Sequence, residues 1–444
     1  VSLHSQNGAP AEALLREVRA FDPRAAIDEV SDVLVREGEI AQIAAPGSIE
    51  PPAGAEVIEG AGKHLLPGFI DPHVHLRTPG QEHKEDLDTG TRAAAAGGYC
   101  AVIAMANTAP VIDEPALVRG LVAQARAQAR IPVGFLGALS VGLRGEQLTE
   151  MALLREAGVL GFSDDGKPVV SAGLLRRALQ YQRLCGGVIS LHEEDPTLSG
   201  AGVMHEGPVS AELGLAGIPS ISEATMIARD GMIAAEEGGR VHFQHISARR
   251  SIEALRALRA AGARVSGEAT PHHLLLTDVA VKDLDTSFKM NPPLRSEGDR
   301  VALVEALRDG TIDCIATDHA PHSREEKMVP FEEAPMGTIG LETAFAALYT
   351  DLVVPGTLSL ACLVERLTAA AALFDLATPT LTVGAEANLC LVDLDASWRV
   401  GESGYESRSA NCCFAGRELS GRVLLTLARG QIAYRERTFA LSAA

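Results

Sequence analysis

What the chain lacks narrows what it can do. It has no apolar run of the ~18–20 residues that a membrane-spanning helix needs, so no span is expected. It has no excess of basic residues. Its 39 Lys and Arg stand against 58 Asp and Glu, for a formal net charge of −19. That argues against nucleic-acid binding, which needs a basic face. It does not exclude a small anionic substrate, because local metals and arginines can override the global field. The seven cysteines (Cys100, Cys185, Cys314, Cys362, Cys390, Cys412 and Cys413) form no CxxC pair and are irregularly spaced. With no secretory signal in view, they read as reduced thiols of a cytoplasmic protein. Solenoid repeats and low-complexity tracts are also missing. Residues 1–11, in VSLHSQNGAPAE, read as a disordered extension.

What is present is an ordinary globular composition, 46% hydrophobic and 22% charged, over 444 residues. That is about three domains by length, although one barrel can absorb ~250 residues. The middle of the chain repeats one alternation. Short apolar, β-branched runs occur at 64–75, 99–108, 131–140, 159–165, 187–195, 240–247, 263–270 and 312–320. Between them lie stretches with helical spacing of apolar residues, among them PALVRGLVAQARAQAR, GLLRRALQYQRLCG and RRSIEALRALRAAG, several ending at Gly. Eight strands alternating with helices predict an α/β fold, a (β/α)8 TIM-like barrel over residues 67–376. Residues 12–66 and 377–444 read instead as hairpins, and are expected to meet in one small β-sandwich domain formed by both chain termini.

Chemistry-capable residues recur at the ends of the apolar runs. His73 and His75 end the first, Asn107 the second, Asp164 and Asp165 the fourth. His192 sits late in the fifth, His245 late in the sixth and Asp318 late in the eighth. Barrel enzymes build their sites from these strand ends. If the first strand continues far enough, His73, His75 and Arg77 share one face at i, i+2 and i+4. Two imidazoles on one face suit a metal, and the arginine fork suits a carboxylate. Four imidazoles and two carboxylates are too many for one tetrahedral catalytic zinc. They suit two metals bridged by Asp165.

Each residue also has a plainer reading. Asp164 and Asp165 precede Gly166 as turn residues often do. His242 faces away from His245 on a strand and is assigned a structural role. His272 and His273 are read as supporting or packing residues, and His83 as part of a solvated helix start. Arg295 either is structural or shapes the mouth.

The ordered set HVHLRTPGQEHKED, FSDDG, LHEED, HFQHIS, NPPLR and TDHAPH resembles the dihydroorotase family of the amidohydrolase superfamily, from about residue 14 onward. It resembles the longer bacterial type, in which an aspartate bridges the metals. The resemblance implies metal ligands at His73, His75, Asp165, His192, His245 and Asp318, holding one or two zinc ions, with two favoured. It implies that Arg77, Asn107, Asn291 and His322 hold the substrate's carboxylate and ring. The implied reaction is the reversible cyclisation of N-carbamoyl-L-aspartate to L-dihydroorotate, by metal-activated hydroxide with Asp318 as catalytic acid and base. Three positions depart from the family pattern, Thr78, Ala106 and Glu193, and none is a ligand. Glu193 is expected to alter the field near His192. A homo-oligomer and a complex with aspartate transcarbamoylase are the expected partners. The rival readings are a hydantoinase, dihydropyrimidinase or allantoinase, and a non-catalytic transcarbamoylase partner. The former generally use a carboxylated lysine, and Lys167 lies beyond the turn. The aperiodic stretch 322–337 is expected to act as a lid.

Overall fold

A computed structural model describes residues 2–439. Eight parallel strands form the barrel: Phe69–Val74, Tyr99–Ala104, Val133–Gly137, Gly161–Ser163, Val188–Leu191, Arg240–Phe243, Arg264–Ala269 and Cys314–Ile315. They fall inside the eight predicted runs. Nearly every residue in them is buried, as expected for a parallel sheet covered by helices. The ring closes where Val74 bridges His319 in parallel and the His75 N–H donates to the His319 carbonyl at 2.9 Å. Buried Asp71 pins this seam, accepting from the His73 and Thr317 N–H groups at 3.1 Å each and from Thr317 Oγ1 at 2.5 Å.

The helices fall between the strands as their spacing predicts: Leu87–Ala96, Pro115–Gln128, Ala172–Cys185, Ile221–Glu237, Arg249–Ala260 and Glu297–Asp309. Asp86 caps the first through a reciprocal pair with Thr89.

The predicted first run, 64–75, divides in two. His64–Pro67 leaves the barrel and joins the sheet of terminal strands, where it lies parallel to Ala13–Asp22 and antiparallel to Leu389–Arg399. Here the two chain ends meet. Ala13, Leu15 and Val33 share an apolar core with Leu389, Leu391 and Leu425. Glu418–Ala428 and Gln431–Arg435 extend the sheet on one side, and Ile27–Arg36 and Glu39–Ala44 on the other.

Two expectations change. Residues 2–11 are not a free extension. The His4 N–H and C=O pair with Val133 at 2.9 and 2.8 Å, and Gln6 N donates to the Ala129 carbonyl. Leu3 packs beside Leu136 and Leu160. The segment's small polar residues carry no periodicity, yet one leucine and a few backbone bonds suffice to dock it. The C-terminal stretch is also more than a sheet, because residues 405–413 leave it and run along the mouth of the barrel. Among the described residues, no helix is long and apolar enough to cross a membrane, and all seven cysteines are free thiols.

Candidate metal centre and active site

The six predicted ligands converge at the C-terminal ends of the strands. His73, His75 and Asp165 form one group able to hold a cation; Asp165, His192 and His245 form a second. Asp165 therefore belongs to both. Its Oδ1 lies 3.5 Å from His73 Nε2, 3.6 Å from His245 Nε2 and 4.0 Å from His192 Nδ1. Its Oδ2 lies 3.5 Å from His75 Nε2. Asp318 Oδ1 sits 3.0 Å from His75 Nε2 and 3.5 Å from His73 Nε2.

These residues fit a metal on the structure's own terms. Among the described residues, His73 Nε2 is buried with no hydrogen-bond partner, and it points between two carboxylates. Burial pulls the His73 pKa down, but Asp165, Glu268 and Asp318 outweigh it and raise it well above the usual histidine value. Burial likewise pushes Asp165 up, yet His73, His245 and His75 hold it well below the carboxylate range. The pocket thus attracts positive charge, and imidazoles facing shared carboxylates are suitable donors for zinc or a similar divalent cation. Lys167 is exposed and takes no part in the cluster.

Arg77 reaches the site differently than predicted. The first strand stops at Val74, so the i, i+4 strand argument does not extend to Arg77. Arg77 instead adopts φ +57°, and His245 and Asp318 have φ +31° and +47°. Such left-handed conformations are costly for residues other than glycine and cluster at functional sites. Here they turn three side chains into the cavity that the strand direction alone would not place there.

A cavity of about 240 Å³ opens above the cluster. It is lined by His75, Arg77, Asn107, Asp165, His192, His245, Asn291, Asp318 and His322, with Gly166, Ala320, Met336 and Gly337. His73 lies beneath, fully buried. All four residues assigned to substrate therefore face one space, and each is already engaged by the protein. Asn107 Oδ1 lies 2.9 Å from His75 Nδ1, and its Nδ2 donates to Asp165 Oδ2 at 3.0 Å. Asn291 Nδ2 donates to Glu194 Oε2 at 2.8 Å. His322 Nε2 lies 2.9 Å from the Met336 carbonyl. Burial, then Arg77, pulls the His322 pKa down to about 3, so the ring is neutral. Arg77 Nε donates to the Pro321 carbonyl at 3.1 Å, and its Nη2 lies 3.4 Å from His322 Nε2. The loop 322–337 is fastened as well. Lys327 Nζ donates to the Thr286 and Pro335 carbonyls, and Lys289 Nζ to that of Glu332.

Sequence reasoning missed two carboxylates. Glu268, at the end of the seventh strand, accepts from His73 Nδ1 at 2.7 Å and His242 Nε2 at 3.0 Å. Burial pushes its pKa up, but His73 and His242 hold it at about 2. An ionised Glu268 fixes the His73 tautomer and aims Nε2 at the cluster. Glu194 does the same for His192, at 3.4 Å from its Nε2; burial opposes ionisation, but His192 and Asn291 bring it to about 2. The run GEAT had the signal for Glu268, since it places a carboxylate at a strand end like the ligands. Glu268→Gln should weaken metal retention and lower kcat/KM by about 10–100-fold, read by elemental analysis and steady-state kinetics.

Other histidines take the structural roles expected. His242 is held by Ser266 and Glu268, and His273 by Thr270 and the Pro292 carbonyl. Arg295 is buried and bonded to Ser247 and the Ile218 carbonyl, so it is structural. Glu193, expected to alter the field near His192, is buried, and burial, then Asp230, raises its carboxyl well above the usual value.

The barrel, with this cluster at its strand ends, defines a cyclic amidohydrolase. L-hydantoinase (dihydropyrimidinase) from Arthrobacter aurescens superposes with a TM-score of 0.84 at 27% identity, covering 95% of this chain and 96% of that one. D-hydantoinase (dihydropyrimidinase) from Thermus sp. does so at 0.83 and 26%, covering 97% of each. Sequence relatives are nearer. A dihydroorotase of Pelotomaculum thermopropionicum is 45% identical over 425 residues, 96% of this chain and 99% of the relative. One of Anaeromyxobacter dehalogenans is 46% identical over 421 residues, 94% and 96% respectively. A family model described as dihydro-orotase-like matches residues 62–251. The chain belongs to the dihydroorotase family.

Proposed function

We propose that the protein interconverts N-carbamoyl-L-aspartate and L-dihydroorotate, the ring-closing step of pyrimidine biosynthesis. The observation that carries this reading is the pairing of a carboxylate grip, Arg77, with two ligand groups that share Asp165. We assign zinc to these groups, two ions being favoured, with His73 and His75 on one side of Asp165 and His192 and His245 on the other. When bound, such ions lower the pKa of water and polarise the ring carbonyl. Asp318 is placed to accept the water's proton and pass it to the leaving amide nitrogen, as base and then acid. Arg77 takes the substrate carboxylate in its fork. Asn107 and Asn291 orient His75, Asp165 and Glu194 as well as facing the ring. Exposed Lys167 weighs against the carboxylated-lysine bridge of a hydantoinase.

The test is turnover of L-dihydroorotate beside hydantoin and dihydrouracil, together with metal content per chain. Preference for dihydroorotate supports the reading, and preference for a carboxylate-free ring overturns it. Co-elution with aspartate transcarbamoylase on gel filtration tests the proposed partner, and the same column reads the homo-oligomer.

The reaction's charge balance gives a further expected result. Carbamoyl aspartate carries two carboxylates and dihydroorotate one, so cyclisation takes up a proton. The equilibrium ratio of ring to open chain should rise about tenfold for each unit fall in pH between about pH 8 and pH 6. A flat ratio measured by chromatography would contradict this chemistry.

A further inference from the structure

We propose that Asn411, contributed by the C-terminal excursion, is a positioning residue for the substrate carboxylate site. It stands behind the cavity wall and ties two wall segments, residues 320–322 and Gly337, with one amide. Its Nδ2 donates to the Ala320 carbonyl and the Gly337 carbonyl, at 3.1 Å each. Its Oδ1 accepts the His322 N–H at 3.0 Å. All of these groups are buried, so their loss leaves backbone atoms unpartnered.

What Asn411 holds is the part of the cavity wall formed by residues 320–322 and Gly337. Arg77 Nε donates to the Pro321 carbonyl, and Arg77 Nη2 lies 3.4 Å from His322 Nε2. The guanidinium is therefore registered against residues 320–322, and Asn411 registers those residues against Gly337. The fit is tight. Gly337 has φ +132°, and a Cβ there would fall 2.7 Å from Ala320 Cβ and 3.2 Å from His322 Nε2. The excursion is itself anchored on both sides. Thr338 Oγ1 donates to the Asn411 carbonyl at 3.0 Å and accepts the Cys413 N–H at 3.0 Å. The Arg408 N–H donates to Glu85, whose other oxygen lies 3.2 Å from His319 Nε2, beside Asp318. A segment 89 residues downstream of His322 in sequence thus sets the loop against which the Arg77 guanidinium rests.

This inference rests on the proposed dihydroorotate reading and specifies how that site holds its substrate. The test compares wild type, N411A, N411D and T338V in KM, kcat, metal content and melting temperature. The expected result for N411A is a KM for L-dihydroorotate raised about tenfold, with kcat within about threefold of wild type and metal content unchanged. Asp is isosteric with Asn but cannot donate to the two carbonyls, so N411D should raise KM more than N411A. T338V, which loosens the excursion from its other side, should raise KM in the same direction. An unchanged KM in N411A and T338V overturns the inference. So does a milder effect of Asp than of Ala, since that order reports volume rather than hydrogen bonding. Loss of kcat and metal in parallel, with KM unchanged, also overturns it, as that reports a general loosening of the barrel. Wild type that does not turn over dihydroorotate overturns the functional reading instead, and the inference with it.

Discussion

Asp318→Asn is expected to lower kcat for dihydroorotate hydrolysis by about 10³-fold, within the range for loss of a positioned acid–base group. The argument begins at the backbone. Asp318 sits at φ +47°, a region that Asn tolerates as well as Asp does. The variant therefore removes charge and basicity while keeping shape, and its melting temperature should stay near that of wild type. The carboxylate has a defined environment to lose. Burial raises its pKa, but His73 and His75 overcome that and hold it far below the usual range. It is thus ionised at neutral pH, as the proposed base must be. An amide cannot accept a proton, so on the proposed roles the chemical step should suffer while binding through Arg77 is kept. The expected signature is a collapse of kcat with KM changed by less than about threefold. Turnover within tenfold of wild type would remove Asp318 from the acid–base role.

Asp165→Asn is expected to be equally damaging by a different route. Four imidazole nitrogens surround this carboxylate at 3.5–4.0 Å. Neutralising it removes the one anion common to both ligand groups. Metal content should fall below that of wild type, and kcat by about 10³-fold or more. The Asn107 amide, which now donates to Asp165 Oδ2, loses its charged acceptor, so His75 loses orientation too. Elemental analysis of the purified variant reads this outcome. Full metal content and full activity together would show that Asp165 does not bridge.

Much of the site was legible because strand ends in a (β/α)8 barrel are strand ends in the sequence. Each apolar run stops where its side chains reach the mouth, so His73, Asp165, His192, His245 and Asp318 could be picked from the chain one run at a time. The details that could not be read are those where contact crosses long sequence distances. Asn107 reads as a ring-binding amide, and the fold adds that it bonds His75 and Asp165. Glu194 lies two residues after His192 in LHEED, but nothing local marks it as the partner of Asn291, 97 residues away. Leu3 docks on the third strand through partners that no periodicity announces.

The sequence by itself determined the order of strands and helices, the barrel class, and the six ligand candidates. Those follow from local periodicity and from the residue type each strand end carries. Only the tertiary structure decided that Glu268 sets the tautomer of His73 and that Asn411 ties residues 320–322 to Gly337. The physical reason is range. A helical or strand period is written within ten residues, whereas a hydrogen bond between residues 322 and 411 exists only once the closed barrel and the returning C-terminal segment bring them within 3.0 Å.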